Sequence, residues 1–112
     1  MAMREPIHQA LAVLVRNALD ASSARVELRI RSVSDEILFE VVDRGTGIPA
    51  EALARIGEPF FTTKEPGRGT GLGLYVVRLI AERFGGDLIL RSAQGLGTEA
   101  VLALPRASLV GG

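Results

Sequence analysis

The chain has 112 residues, enough for one domain with its own core. Hydrophobic residues at 47% against charged residues at 23% give a globular balance rather than a disordered one. The 13 basic and 13 acidic residues cancel, without the basic excess of a nucleic-acid binder. There is no cysteine and a single histidine, His8, which excludes disulfide scaffolds, cysteine nucleophiles, Cys-ligated zinc and multi-histidine metal sites.

Pro6 can open a helix, and Ile7, Leu11, Leu14, Val15, Ala18 and Leu19 recur at helical spacing. The apolar run Ala10–Val15 in that helix is stopped by Arg16, far short of the ~18 residues of a membrane span. Val26, Leu28 and Ile30 alternate with Glu27, Arg29 and Arg31, the pattern of a half-buried strand. A turn at Ser34-Asp35 leads to a second alternating strand, Ile37, Phe39 and Val41, ending at Asp43, so the pair reads as an antiparallel hairpin. A short helical piece is expected at Ala50–Arg55, and Gly57–Gly69, with Pro59 and Pro66, reads as loop. Leu72, Val76, Leu79, Ile80 and Phe84 restore helical spacing until Gly85-Gly86 stops it. Leu88 and Leu90 alternate, Gln94–Gly97 turns, and Thr98–Leu104 forms the last strand. The expected fold is an α/β two-layer sandwich, a mixed, largely antiparallel sheet with helices on one face.

Two glycine clusters stand out: Asp43-Arg44-Gly45-Thr46-Gly47-Ile48-Pro49, and Gly67 to Leu74 with Gly69, Gly71 and Gly73 around Thr70 and Leu72. The second opens into a helix, where free backbone N–H groups can meet a phosphate. Taken singly, such glycines are more often turns and caps, but this alternation exceeds what a cap requires. There is no P-loop, because no GxxxxGK[ST] occurs. Gly45-x-Gly47-x-x-Ala50 is a poor dinucleotide fingerprint, since Pro49 interrupts it and no second strand ends in an acid where one is needed. Asp43 at a strand end can accept from an exocyclic amine or simply cap a turn. Asn17, beside the apolar stripe of the first helix, can offer an amide oxygen to Mg²⁺ or be a hydrogen-bonded boundary residue.

Together these residues resemble the ATP-binding domain of sensor histidine kinases, in the superfamily of the gyrase B subunit, mismatch-repair ATPases and heat-shock chaperones. The resemblance runs from about Gln9 to Pro105, with its motifs in order. Arg16-Asn17-Ala18-Leu19-Asp20 is similar to the Asn box, Asp43–Ile48 to the first glycine box and Glu58-Pro59-Phe60-Phe61-Thr62-Thr63-Lys64 to the phenylalanine box. Gly67–Leu74 is similar to the second glycine box, and Gly97-Thr98 with Leu104-Pro105 to the closing hairpin.

The resemblance implies a Bergerat-type fold and a site for ATP and Mg²⁺. Asp43 would bond the adenine amine with Thr98 assisting, within a site that also includes Gly45, Gly47 and Ile48. Asn17 would ligate Mg²⁺, with Asp20 near it. Gly69, Thr70, Gly71, Leu72 and Gly73 would receive the phosphates, and Gly57–Gly69 would be a short ATP lid. Many members carry a lysine where this chain has Asp20, which leaves Lys64 and Arg68 as candidate cations for the γ-phosphate. Hydrolytic relatives carry a glutamate where this chain has Val13, so rapid hydrolysis is not expected. His8 is expected to be an exposed helix residue and not the phospho-acceptor.

The implied reaction is transfer of the γ-phosphate to a histidine on a separate dimerisation domain of the same protein, upstream of a response regulator. The domain would lie in the cytoplasm, with no nucleic acid and no membrane contact of its own. It would span residues 1–112, with 106–112 a frayed tail, and the strand that usually precedes the first helix would lie outside it. The alternatives are a serine kinase of the anti-sigma-factor type and a degenerate nucleotide-binding regulatory module.

Overall fold

The computed structural model describes residues 5–21, 25–55, 58, 72–93 and 95–109. The elements in chain order are α1 (Glu5–Ala21), β1 (Glu27–Val33), β2 (Glu36–Asp43), α2 (Ala50–Leu53), α3 (Gly73–Arg83), β3 (Asp87–Ala93) and β4 (Gly97–Pro105). A 3-10 turn, Arg106–Leu109, follows. The four described strands form one sheet in the order β1-β2-β4-β3, every neighbouring pair antiparallel.

Register assigns each side chain to a face. Ile37, Phe39, Val41 and Asp43 of β2 stand opposite Leu104, Leu102, Ala100 and Thr98 of β4, and Leu88, Leu90 and Ser92 of β3 complete the row. Residues paired in this way point to the same side of the sheet. The apolar members of the row meet Ile7, Ala10, Leu11, Leu14 and Ala18 of α1 and Val77, Ile80 and Ala81 of α3 in a single core. The outcome is an α/β sandwich with α1 and α3 as one layer and the sheet as the other.

The helical layer stops short of β1. Leu28 and Ile30 share the inner face with Val41 and Phe39, yet they remain 50% and 61% exposed. Alternation therefore identified the strand and its faces correctly, but not its burial. An edge strand's inner side chains are covered only if a helix extends over them, and α1 lies over β2. On the outer face, Glu40 is buried among Leu38, Val42 and Val101, and its Oε2 accepts from Arg31 Nε at 3.0 Å and Nη2 at 2.7 Å.

α3 ends as its two glycines require. Gly85 adopts a φ of +80°, its N–H donates to the Glu82 carbonyl at 3.0 Å, and Gly86 N–H donates to the Ala81 carbonyl at 2.8 Å. This double closure satisfies carbonyls that the helix end would leave open. Gly86 then passes so close to the Ala103 carbonyl that no side chain fits there. Residues 106–109, placed in a frayed tail by the sequence reading, form a 3-10 turn. Arg106 bonds Ser32 and the Ser34 carbonyl, and Leu109 packs against the core. Among the described residues no helix is long and apolar enough to cross a membrane.

Candidate functional site

One end of the sheet gathers three polar residues of the inner face, Asp43, Thr98 and Ser92. β2 finishes there with Asp43, β4 begins there with Thr98, and the two are register partners. Asp43 is 6% exposed, and its Oδ1 accepts the Gly45 N–H at 2.8 Å. A carboxylate buried at a strand end is costly unless hydrogen-bonded, and the turn into the glycine cluster supplies that bond. Thr98 is half-buried beside it.

The first glycine cluster is held on two sides. Gly45 lies against the last residue of α1, and a Cβ there would collide with the Ala21 carbonyl. The absence of a side chain at Gly45 thus serves the approach of α1 to the strand end. Gly47 takes a φ of +74°, a conformation that favours glycine. On the other side, Ile48 N–H donates to Ser92 Oγ at 2.7 Å, and Gly95 N–H donates to the Thr46 carbonyl. Ser92 Oγ also stands 2.9 Å from the Gly97 carbonyl and 2.8 Å from Thr98 Oγ1. The tip of the β3–β4 hairpin and the first glycine cluster are therefore one hydrogen-bonded unit.

The sequence reading missed Ser92. A signal existed: it continues the inward alternation of Leu88 and Leu90, so it is a polar residue at a core-facing position.

Asn17 is half-buried and Asp20 exposed. At 100° per residue both fall on the flank of α1 that carries Val13. That flank meets the start of α3, since a Cβ on Gly73 would lie 3.1 Å from Val13 Cγ1. Asn17 thus sits about one turn beyond the point where α1 and α3 touch, toward the Asp43 end. His8 is exposed on α1. Leu72 precedes the first turn of α3, and its carbonyl accepts from Val76 N–H at 2.9 Å. Lys64, Arg68, Gly69, Thr70 and Gly71, together with nearly all of the expected lid and phenylalanine box, lie outside the described residues. Glu58 alone of that box is described; it is exposed and pairs with Arg55 at 3.3 Å.

Comparison with known proteins identifies the class. Residues 2–108 match the family model described as histidine kinase-, DNA gyrase B-, and HSP90-like ATPase. The chain belongs to that family. It is 48% identical over 91 residues to the sensor kinase CckA of Brucella abortus, covering 81% of this chain and 10% of the relative. It is 35% identical over 111 residues to the nitrogen regulation protein NtrY of Azorhizobium caulinodans, covering 90% of this chain and 14% of the relative. The chain thus spans a small fraction of the length of these sensor kinases.

Among solved structures, full-length ShkA in complex with AMPPNP superimposes with a TM-score of 0.80 at 30% identity, over 89% of this chain and 21% of that one. The mycobacterial sensor histidine kinase MprB gives 0.79 at 28%, over 89% and 70%. The chain is a histidine-kinase-type ATPase domain, similar to those of two-component sensors.

Proposed function

We propose that this chain binds Mg²⁺-ATP and donates its γ-phosphoryl group to a histidine on a separate dimerisation domain of a sensor kinase, which then serves a response regulator. The observation that carries this reading is the buried Asp43 carboxylate, paired in register with Thr98 and oriented by the Gly45 N–H. An ionised carboxylate only accepts hydrogen bonds, and it suits the exocyclic amine of adenine. The binding of AMPPNP by ShkA supports the same assignment.

The other residues take the following roles in this reading. Asn17 and Asp20 line the α1 flank nearest the start of α3, where the phosphates would lie. Among the described residues no group of three or more His, Cys, Asp or Glu side chains could hold a metal ion. This donor set fits a Mg²⁺ that arrives on the phosphates and adds the Asn17 amide oxygen to its ligands. When bound, the ion neutralises phosphate charge. Lys64 and Arg68 are the proposed additional cations. Gly69, Thr70, Gly71, Leu72 and Gly73 would present backbone to the phosphates, and Gly57–Gly69 would close over them as a lid. Phosphoryl transfer of this kind depends on positioning and charge neutralisation. The chain holds one half of that arrangement, and the acceptor imidazole completes it from outside. Val13 packs against the start of α3 where hydrolytic relatives place a glutamate, so no side chain there activates water.

Calorimetric titration with ATP, ADP and GTP tests the reading. ATP and ADP should bind in preference to GTP, and Asp43→Asn should lose ATP affinity while keeping the fold. Equal affinity for GTP, or an unaffected Asp43→Asn, would refute it. With labelled ATP, the chain alone should stay unlabelled, and a matching dimerisation domain should acquire phosphohistidine.

A further inference from the structure

Ser92 Oγ meets three groups, and a single assignment of protons satisfies all three at once. Ile48 N–H, at 2.7 Å, can only donate. The Gly97 carbonyl, at 2.9 Å, can only accept. A serine hydroxyl has one proton and two lone pairs. Ile48 therefore occupies one lone pair and Gly97 receives the proton. The remaining lone pair faces Thr98 Oγ1 at 2.8 Å, so in that bond Thr98 is the donor. Thr98 spends its only hydroxyl proton on Ser92, and its remaining capacity is to accept. Its register partner Asp43 also only accepts.

We propose that Ser92 is a positioning residue that sets the base selectivity of the site. By holding Thr98 as an acceptor beside Asp43, it makes the inner-face pair a double acceptor. Such a pair matches an exocyclic amine, which has two N–H bonds, and opposes a carbonyl at the same ring position. Ser92 acts through Thr98 and the backbone of Ile48. The proposal rests on the nucleotide reading above and deepens it.

ATP and inosine triphosphate are the probes, because they differ at that ring position, amine against carbonyl. Wild-type protein should prefer ATP. Ser92→Ala frees the Thr98 proton, so Thr98 can turn and donate, and the ratio of the two dissociation constants should shrink about tenfold, the worth of one well-placed hydrogen bond. Ser92→Thr keeps a hydroxyl at the same place and should restore the ratio. A purely structural role would weaken both nucleotides equally and leave the ratio where it was. If Ser92→Ala does not fold, Thr98→Val decides. An acceptor at that position predicts weaker ATP binding with inosine triphosphate unchanged or tighter. A donor predicts that inosine triphosphate suffers more, which would overturn the proposal, as would an unchanged ratio in Ser92→Ala. A wild-type protein with no preference for ATP would refute the nucleotide reading and this proposal together. A wild-type preference that persists undiminished in Ser92→Ala refutes this proposal alone.

Discussion

Gly95 and Gly97 flank one turn, and their replacement by alanine should have very different effects. Both occupy left-handed backbone, with φ of +86° and +95°. An L side chain costs about 1–2 kcal/mol in that region. For Gly95 the cost ends there, since nothing lies within 4 Å of the position its Cβ would take. At Gly97 the Cβ would sit 2.9 Å from Arg44 Cα and 3.1 Å from the Asp43 carbonyl carbon, and closer still to that carbonyl's oxygen. These are backbone atoms of the last residue of β2 and the residue after it, so no side chain can swing aside to make room. Separating the strands adds a cost of about 1–3 kcal/mol, as overpacking does elsewhere. Gly97→Ala should therefore fall below Gly95→Ala by about that amount, and its melting temperature should be lower by several degrees. Urea and thermal denaturation of the two variants and the wild type measure this. Equal losses would refute the argument, because they would mean that only the backbone angle matters at Gly97.

The remaining predictions concern the site and the sheet. Asn17→Ala should lose most of the gain in ATP affinity that Mg²⁺ provides and Asp20→Ala less; titrations with and without Mg²⁺ check this, and a full Mg²⁺ effect in Asn17→Ala would move the assignment to Asp20. Arg31→Met should cost about 1–3 kcal/mol in urea unfolding, because it leaves the 4%-exposed Glu40 carboxylate without its donor. Glu40→Gln should cost less, since an amide carbonyl still accepts from Arg31 and carries no charge to bury. Leu102→Ala, at a position with no exposed surface, should cost about 2–5 kcal/mol by the same measurement.

The strands and helices were legible because each carries its own period. Leu88 and Leu90 could face only one way, and Leu72 to Phe84 could form only a helix closed by Gly85-Gly86. What periodicity could not supply was the width of the helical layer. Leu28 and Ile30 alternate as cleanly as Phe39 and Val41, but nothing in their own segment tells whether a helix extends over them. The site was legible as motifs and less so as contacts. Asp43 and Thr98 were expected to work together, and strand register places them opposite one another. Gly45 was read as a residue of the ATP site, and the packing of α1 against it came only with the fold, which brings the Ala21 carbonyl to where its Cβ would stand. Ser92 escaped notice because its three partners, Ile48, Gly97 and Thr98, become its neighbours only once both hairpins have folded.

The opposed directions of α1 and α3 have an electrostatic consequence. α1 terminates beside Gly45, while α3 runs away from the Asp43 end to finish against Ala103 and Leu104. The partial negative charge of one macrodipole and the partial positive charge of the other thus fall toward the same end of the molecule. Neither is neutralised from within its own helix, for α1 has no basic residue in its last turn and α3 no acidic residue in its first. A gradient of potential therefore runs across the space between them. A molecule with an electropositive amine at one end and an anionic tail at the other lowers its energy in one orientation and raises it in the reverse. The helix ends would contribute about 0.3–1 kcal/mol each at low ionic strength, and less as salt screens them. On the proposed function, the backbone would set the polarity of docking before any side chain touched the nucleotide.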